Sequence, residues 1–272
     1  MAYNKDSMQN ILMVAVGVCL VASIVVSSTA VFLKPTRVAN KEADRYKNIL
    51  VAAGLFEEGK TPVSQVDELF KQFEPRFVDF EQNRILTVEE AAAEGIDYGS
   101  YDQRQASKNP SLSKDIPNRE DIASIGRRAR YSVIYLLRDD AGQLDKVVLP
   151  VHGYGLWSTM YGYLALEEDM NTVAGITFYE QQETAGLGGE VDNPDWKAIW
   201  PGKEIYENGD VALQVIKGAV DPGMRDSEHK IDGLSGATLT SRGVQNLVHY
   251  WLGEDGFKPV LKQLETQMVG AI

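Results

Sequence analysis

The 272-residue chain has one cysteine and three histidines, and these scarcities exclude whole classes of chemistry. A lone thiol, Cys19, cannot build an intrachain disulfide, an iron–sulfur cluster or a thiolate zinc site. His152, His229 and His249 are scattered and show no metal-ligand spacing such as H-E-x-x-H. There is no P-loop, and no G-x-G-x-x-G follows a strand-like run. Strand and helix patterns do not alternate regularly, so neither a Rossmann domain nor a binding site for NADH is expected. No G-x-S-x-G elbow occurs, and no histidine or acid has a recognisable triad context, so hydrolase chemistry lacks support. Positive charge is also short: 27 Lys and Arg against 39 Asp and Glu leave a net charge of −12, which argues against nucleic acid as a partner. Redox chemistry in such a chain needs an organic cofactor.

One long apolar run is present. Residues Ile11 to Leu33, ILMVAVGVCLVASIVVSSTAVFL, carry no charge. As a helix they would extend about 34 Å, against a bilayer core of about 30 Å. Ser28-Thr29-Ala30 resembles a signal-peptide cleavage site. However, Lys5 is offset by Asp6 and the run exceeds the usual signal length, so a retained transmembrane helix in contact with the lipid bilayer is the expectation. Lys34, Arg37, Lys41, Arg45 and Lys47 follow the span, and taken alone they place the body in the cytoplasm. Long domains translocate largely regardless of flanking charge, so residue counting leaves the side open. A single span without intramembrane carboxylates cannot form an ion path.

The pattern divides into a tail over 1–10, the span over 11–33, a helical connector over 34–75 and a domain over 76–272. In the connector, Ala39, Ala43, Tyr46, Ile49, Leu50 and Ala53 predict a helix over 38–58. Thr61-Pro62 reads as an N-cap with Pro at the first helical position, followed by a stripe of Val63, Val66, Leu69, Phe70 and Phe73. Residues 94–126 are polar and aperiodic, which predicts a long loop or insertion. Strands are expected at Tyr131–Leu137, Lys146–Val151, Val173–Tyr179 and Val211–Ile216, separated by Asp, Asn and Gly turns. The fold class is therefore α+β, with a mostly antiparallel sheet.

Three stretches can carry chemistry. DGLSGATLTS precedes a helix whose apolar stripe is Val244, Leu247, Val248, Trp251 and Leu252, capped by Gly253. Its glycines let backbone N–H groups approach a ligand, and the helix start favours a phosphate. The same residues also fit a plain turn in which Thr240 or Ser241 caps the helix. The second stretch, ETAGLGGE, could lie flat against a planar ligand with Thr184 at its polar edge, or could be a flexible loop. VHGYGLWS could bring Trp157 to the same cleft, and Lys217 could offer a cation. A core tryptophan and a solvated lysine are the alternatives.

Taken together, the stretches resemble a known family. DGLSGATLTS is similar to the covalent flavin-attachment motif of the FMN-binding domain family. With ETAGLGGE, VHGYGLWS and the N-terminal span, the whole chain resembles the NqrC family, a component of bacterial Na⁺-translocating NADH:quinone reductases. Asp232, Ser235, Gly236, Ala237 and Thr238 stand where that motif has them, whereas Ala185 stands where some relatives have proline. The resemblance implies an FMN domain over 76–272, with one FMN joined by a phosphoester bond to Thr238. Thr184, Gly186, Leu187 and Gly188 would lie by the flavin ring. Gly233, Leu234, Ser235, Gly236, Ala237 and Thr240 would lie around the phosphate and ribityl chain, with Lys217 and Trp157 as neighbours. It further implies maturation by a separate flavin transferase and a periplasmic body on a single-pass inner-membrane anchor. The chain would work as an electron-transfer subunit beside other subunits of the reductase, with no complete activity alone, no catalytic side chain and no metal. The flavoprotein subunit of an Rnf-type ferredoxin:NAD oxidoreductase is the alternative within this class. An anchored scaffold protein without redox activity is the alternative outside it.

Overall fold

The structure, a computed structural model, describes residues 7–139 and 141–269. Its contacts divide the chain into two units, one ending at Arg45 and the other beginning at Tyr46. Helix α1 runs over Met8–Ala52. Its apolar stretch is wholly unburied, and by length and composition it can cross a membrane. Pro35 lies inside the helix, just beyond the apolar run, where it removes one backbone hydrogen bond.

In the second unit the end of α1 buries Ile49, Leu50 and Ala52. A 3₁₀ turn over Val63–Gln65 leads into α2, Val66–Phe70. Thr61 does not cap this segment: its Oγ1 accepts from Glu57 N at 3.1 Å, and Pro62 holds the N-cap position. Phe73, expected on the helical stripe, instead opens strand β1, Phe73–Asp79. Pro75 explains the change, because proline costs a helix interior a backbone hydrogen bond and kinks it, yet is tolerated where a strand edge is open. β1 pairs with β2, Arg84–Leu86, only from Phe77 onward, so Pro75 withholds no donor from that side.

Helix α3, Val88–Ala93, starts with a capping box of Thr87 and Glu90. The segment expected as a loop contains α4, Gln103–Lys108, capped by Asp102. It also contains β3, Ser113–Asp115, paired antiparallel with β4, Arg127–Ala129. Then come β5 (Tyr131–Arg138), β6 (Leu144–Tyr154), β7 (Thr159–Glu167) and β8 (Val173–Glu180). They complete a six-stranded antiparallel sheet in the order β2-β1-β5-β6-β7-β8. Strand β7 has no counterpart among the expected strands.

A short helix α5, Pro194–Lys197, is followed by β9, Tyr206–Glu207, and β10, Asp210–Val211, which form an antiparallel pair. Strand β11, Gln214–Val215, pairs parallel with β12, Lys230–Ile231. The single strand expected over Val211–Ile216 is thus two. Between them the chain turns Leu213 fully into the core. Helices α6, Thr238–Trp251, and α7, Lys258–Val269, end the chain's described part.

Both sheet faces are covered. Val147, Leu149, Val151, Leu164 and Leu166 pack with Val244, Leu247, Val248 and Trp251 of α6 and with Val260 and Leu261 of α7. On the other face Tyr135, Leu137, Val148, Tyr163 and Ala165 pack with Ile49, Leu50, Phe56 and Val66. Two-sided burial explains runs such as Val147-Val148-Leu149, in which hydrophobic alternation disappears. Each apolar side chain of the α6 stripe has no exposed surface, and such burial contributes about 1.5–3 kcal/mol apiece. Two glycines let α6 approach β6 closely. A Cβ on Gly153 would lie 2.7 Å from Leu247 Cβ, and one on Gly243 would lie 2.6 Å from the Tyr154 carbonyl. That close contact sets the first turns of α6 against the β6–β7 hairpin tip.

Candidate functional site

The start of α6 is unlike a capped helix. Ala237 occupies the N-cap position and gives no side-chain hydrogen bond, while Thr238 is the first helical residue. Neither alternative cap operates: Thr240 Oγ1 donates to Glu183 Oε2 at 2.6 Å, and Ser241 Oγ accepts from Leu234 N at 3.0 Å. Among the described residues, the backbone N–H groups of Ser235, Gly236, Thr238, Leu239 and Thr240 meet no acceptor. By contrast, α3, α4 and α5 are capped by Thr87, Asp102 and Asn193. Gly236 makes the turn with φ of +72°, and the side chains of Ser235 and Thr238 are exposed. Free donors at a helix start, with the dipole behind them, form a cradle for an anion such as a phosphate.

The loop after β8 closes one side of this cradle. Thr184 O accepts from Leu187 N at 3.1 Å and from Gly189 N at 2.9 Å, so residues 184–189 form a compact turn with Gly186 at φ +74°. Leu187 is half exposed and lies over Gly236: a Cβ there would meet Leu187 Cδ2 at 2.9 Å. Gly188 is buried, and a Cβ on it would lie 2.5 Å from Thr240 Oγ1.

Trp157 is 64% exposed, which removes the core alternative, and it sits at the β6–β7 tip. On another side Gly233 N donates to Gly218 O at 2.9 Å, and a Cβ on Gly233 would strike the Ile216 carbonyl. That contact brings exposed Lys217 beside the motif. Asp232 ties the same two segments, its Oδ1 accepting from Val220 N at 2.8 Å. Its carbonyl accepts from Trp196 Nε1 at 2.8 Å. The residues singled out from sequence, with buried Leu234 and Ala237 beneath them, thus converge on one region.

The residue that joins these parts was missed by sequence reasoning. Glu183 is 8% exposed. It accepts from Leu156 N at 3.1 Å, Trp157 N at 2.9 Å and Ser158 N at 3.2 Å, besides the Thr240 hydroxyl. Burial alone would raise its pKa, but the Thr240 hydroxyl and those three amides outweigh it and hold the carboxylate below its ordinary value. An acidic residue beside a run of glycines was the available signal. The histidines play no part here: His229 and His249 bond to the carbonyls of Glu204 and Leu213, and His152 stacks on Tyr161. Elsewhere, oxygens of Asp145, Glu167 and Glu168 lie within 4.8 Å of one another, but Lys146 already pairs with the first two.

The donor set fits FMN. Unpaired amides and hydroxyls suit a phosphate. The exposed apolar surfaces of Leu156, Trp157, Leu187 and Leu239 around them suit a planar ring. Comparison with known proteins agrees, placing the chain among FMN-binding proteins. The sequence model of the family described as FMN-binding domain matches residues 155–253. The NqrC component of the Na⁺-translocating NADH-quinone reductase of Pseudomonas aeruginosa is 49% identical over 263 residues, covering 96% of this chain and 97% of that protein. The Vibrio parahaemolyticus counterpart is 46% identical over 97% of this chain and 98% of its own length. The crystal structure of Shewanella oneidensis NqrC superposes with a TM-score of 0.72 at 34% identity, covering 84% of this chain and 99% of that one. The chain belongs to the NqrC family of the Na⁺-translocating NADH-quinone reductases.

Proposed function

We propose that the chain is the membrane-anchored electron-transfer subunit of a sodium-pumping NADH:quinone reductase, with FMN joined to Thr238 through a phosphoester bond. The single observation that carries this reading is the uncapped start of α6, where unpaired N–H groups surround an exposed threonine hydroxyl. When bound, FMN supplies one- and two-electron chemistry that no side chain of this protein offers. The residues position it. Amides of Ser235, Gly236, Thr238 and Leu239 hold the phosphate, Thr238 Oγ1 carries the ester, and Thr184, Gly186, Leu187 and Gly188 border the ring. Trp157 covers an edge, and Lys217 places a cation beside the motif. The body lies in the periplasm, where an exported flavin transferase can reach Thr238, and α1 anchors it in the inner membrane. The other subunits of the complex supply the electron donor and acceptor. The Pseudomonas and Vibrio relatives bear the quinone-reductase name, which favours this complex over the Rnf-type alternative.

The test is direct. The full chain is produced with a flavin transferase in an exporting host, denatured, and measured by intact mass and in-gel fluorescence. A gain of one FMN less one water, on the peptide containing Thr238, is expected. Thr238→Ala should fold and stay colourless, since an exposed hydroxyl contributes little to stability. An unmodified wild-type chain beside an active transferase control would sink the proposal and leave the scaffold reading.

A further inference from the structure

Glu183 is a buried carboxylate with no cation in ion-pair range among the described residues, held entirely by neutral donors. Those donors come from two other segments: the amides of Leu156, Trp157 and Ser158 at the hairpin tip, and Thr240 in the first turn of α6. Its own backbone continues directly into the Thr184–Gly188 turn. Two glycines leave room for the carboxylate. A Cβ on Gly155 would lie 2.6 Å from Glu183 Oε1, and one on Gly188 would lie 2.9 Å from Oε2. A carboxylate accepts from all four donors at once, whereas an amide that kept its oxygen on the three N–H groups would turn its NH2 toward Leu156 N and reverse the Thr240 bond. Binding Thr240 has a second effect, because it takes away the hydroxyl that would otherwise be free to bond inside the turn.

We propose that Glu183 is a positioning residue for the flavin, fastening the hairpin tip, the 184–188 turn and the start of α6 into one cradle before any cofactor arrives. This rests on the reading of Thr238 as the attachment site. Every residue assigned to the flavin's ring, on the 184–188 turn or at Trp157, sits on a segment that Glu183 ties down.

The experiment uses the full chain in detergent with a flavin transferase and FAD, comparing wild type with Glu183→Gln. Three quantities are read: the initial rate of flavin attachment, hydrogen exchange of the 156–158 amides before attachment, and fluorescence anisotropy of the attached flavin. Loss of a charge-assisted network predicts attachment slower by roughly tenfold or more and exchange faster by a similar factor. Anisotropy should fall as the ring loses its fixed border, a change that mere loss of global stability would not cause in the folded fraction. Wild-type rates with protected amides would overturn the proposal. So would slow attachment with unchanged exchange and anisotropy, which would mean that the transferase alone reads Glu183. If Glu183→Gln does not fold, Gly155→Ala serves, because its Cβ presses on the carboxylate from outside both motifs. Wild-type behaviour in a folded Gly155→Ala chain would likewise overturn it. Failure of the wild type to gain flavin on Thr238 would instead reject the attachment reading, and the exchange comparison would still decide whether Glu183 holds the cradle.

Discussion

Among the described residues two acidic side chains are buried, and they are held in opposite ways. Asp79, at the end of β1, has no exposed surface and meets the guanidinium of Arg130 twice, at 3.1 and 2.8 Å, along with Glu81 N. Glu183 has no cationic partner among the described residues and relies on amides and one hydroxyl. Asp79 closes a turn between neighbouring strands, where charge neutralisation and local bonds serve stability. Glu183 joins segments remote in sequence around a region where exposed apolar side chains and unpaired amides remain. An uncompensated charge is costly to bury unless hydrogen bonds surround it, as they do here. One carboxylate is thus tied into a local turn of the scaffold, and the other bridges the segments proposed to hold the cofactor.

Substitutions separate the two roles. The largest effect is expected from Asp79→Ala, which removes a fully buried carboxylate and its bonds to Arg130 and the turn amides. Urea titration should show a loss of about 2–4 kcal/mol, while the folded fraction still takes up flavin. Glu183→Gln should cost less, about 1–3 kcal/mol by the same titration, yet slow flavin attachment far more. If the two variants affect stability and attachment in the same proportion, the distinction fails.

Acid gives a second test. Burial pushes Asp79 up, but Arg130 and the amides of Glu81 and Gln82 bring it net below its ordinary value, as the donors around Glu183 do there. A depressed carboxylate contributes stability above its unfolded pKa and loses that contribution as pH falls through the folded one. The stability gap between wild type and Glu183→Gln should therefore hold steady above the ordinary Glu value and narrow as pH falls below about 4.3, as denaturation midpoints would reveal. A gap independent of pH would mean that the charge at Glu183 is not what holds the three segments. The smallest effect is expected from Lys217→Gln, an exposed side chain, with stability unchanged within about 0.5 kcal/mol. Any change should be confined to the affinity for flavin phosphate, read by salt-dependent labelling rates.

Much of the fold was legible from local pattern. The α6 stripe and the strands around Tyr131, Lys146 and Val173 follow from spacing alone, because a single buried face or a short apolar run marks them. β7 escaped because Gly162 interrupts it and Leu164-Ala165-Leu166 has no β-branched residue to mark a strand. Phe73 was assigned to a helix because its spacing from Phe70 fits one, whereas Pro75 and the neighbouring β5 take it into the sheet. At the site, the glycines and the threonine were visible, and their meeting was not.

Residue order alone sets the charge-free span and the apolar stripe of α6 with a small, hydroxyl-rich stretch at its start. Whether Thr240 and Ser241 cap the helix or leave its amides free was decided only in three dimensions. The acceptor that claims Thr240 is Glu183, 57 residues earlier in the chain. Ser241 is occupied by Leu234 across the turn that Gly236 permits. Local propensity allows both outcomes, and a long-range hydrogen bond to a buried charge chooses between them.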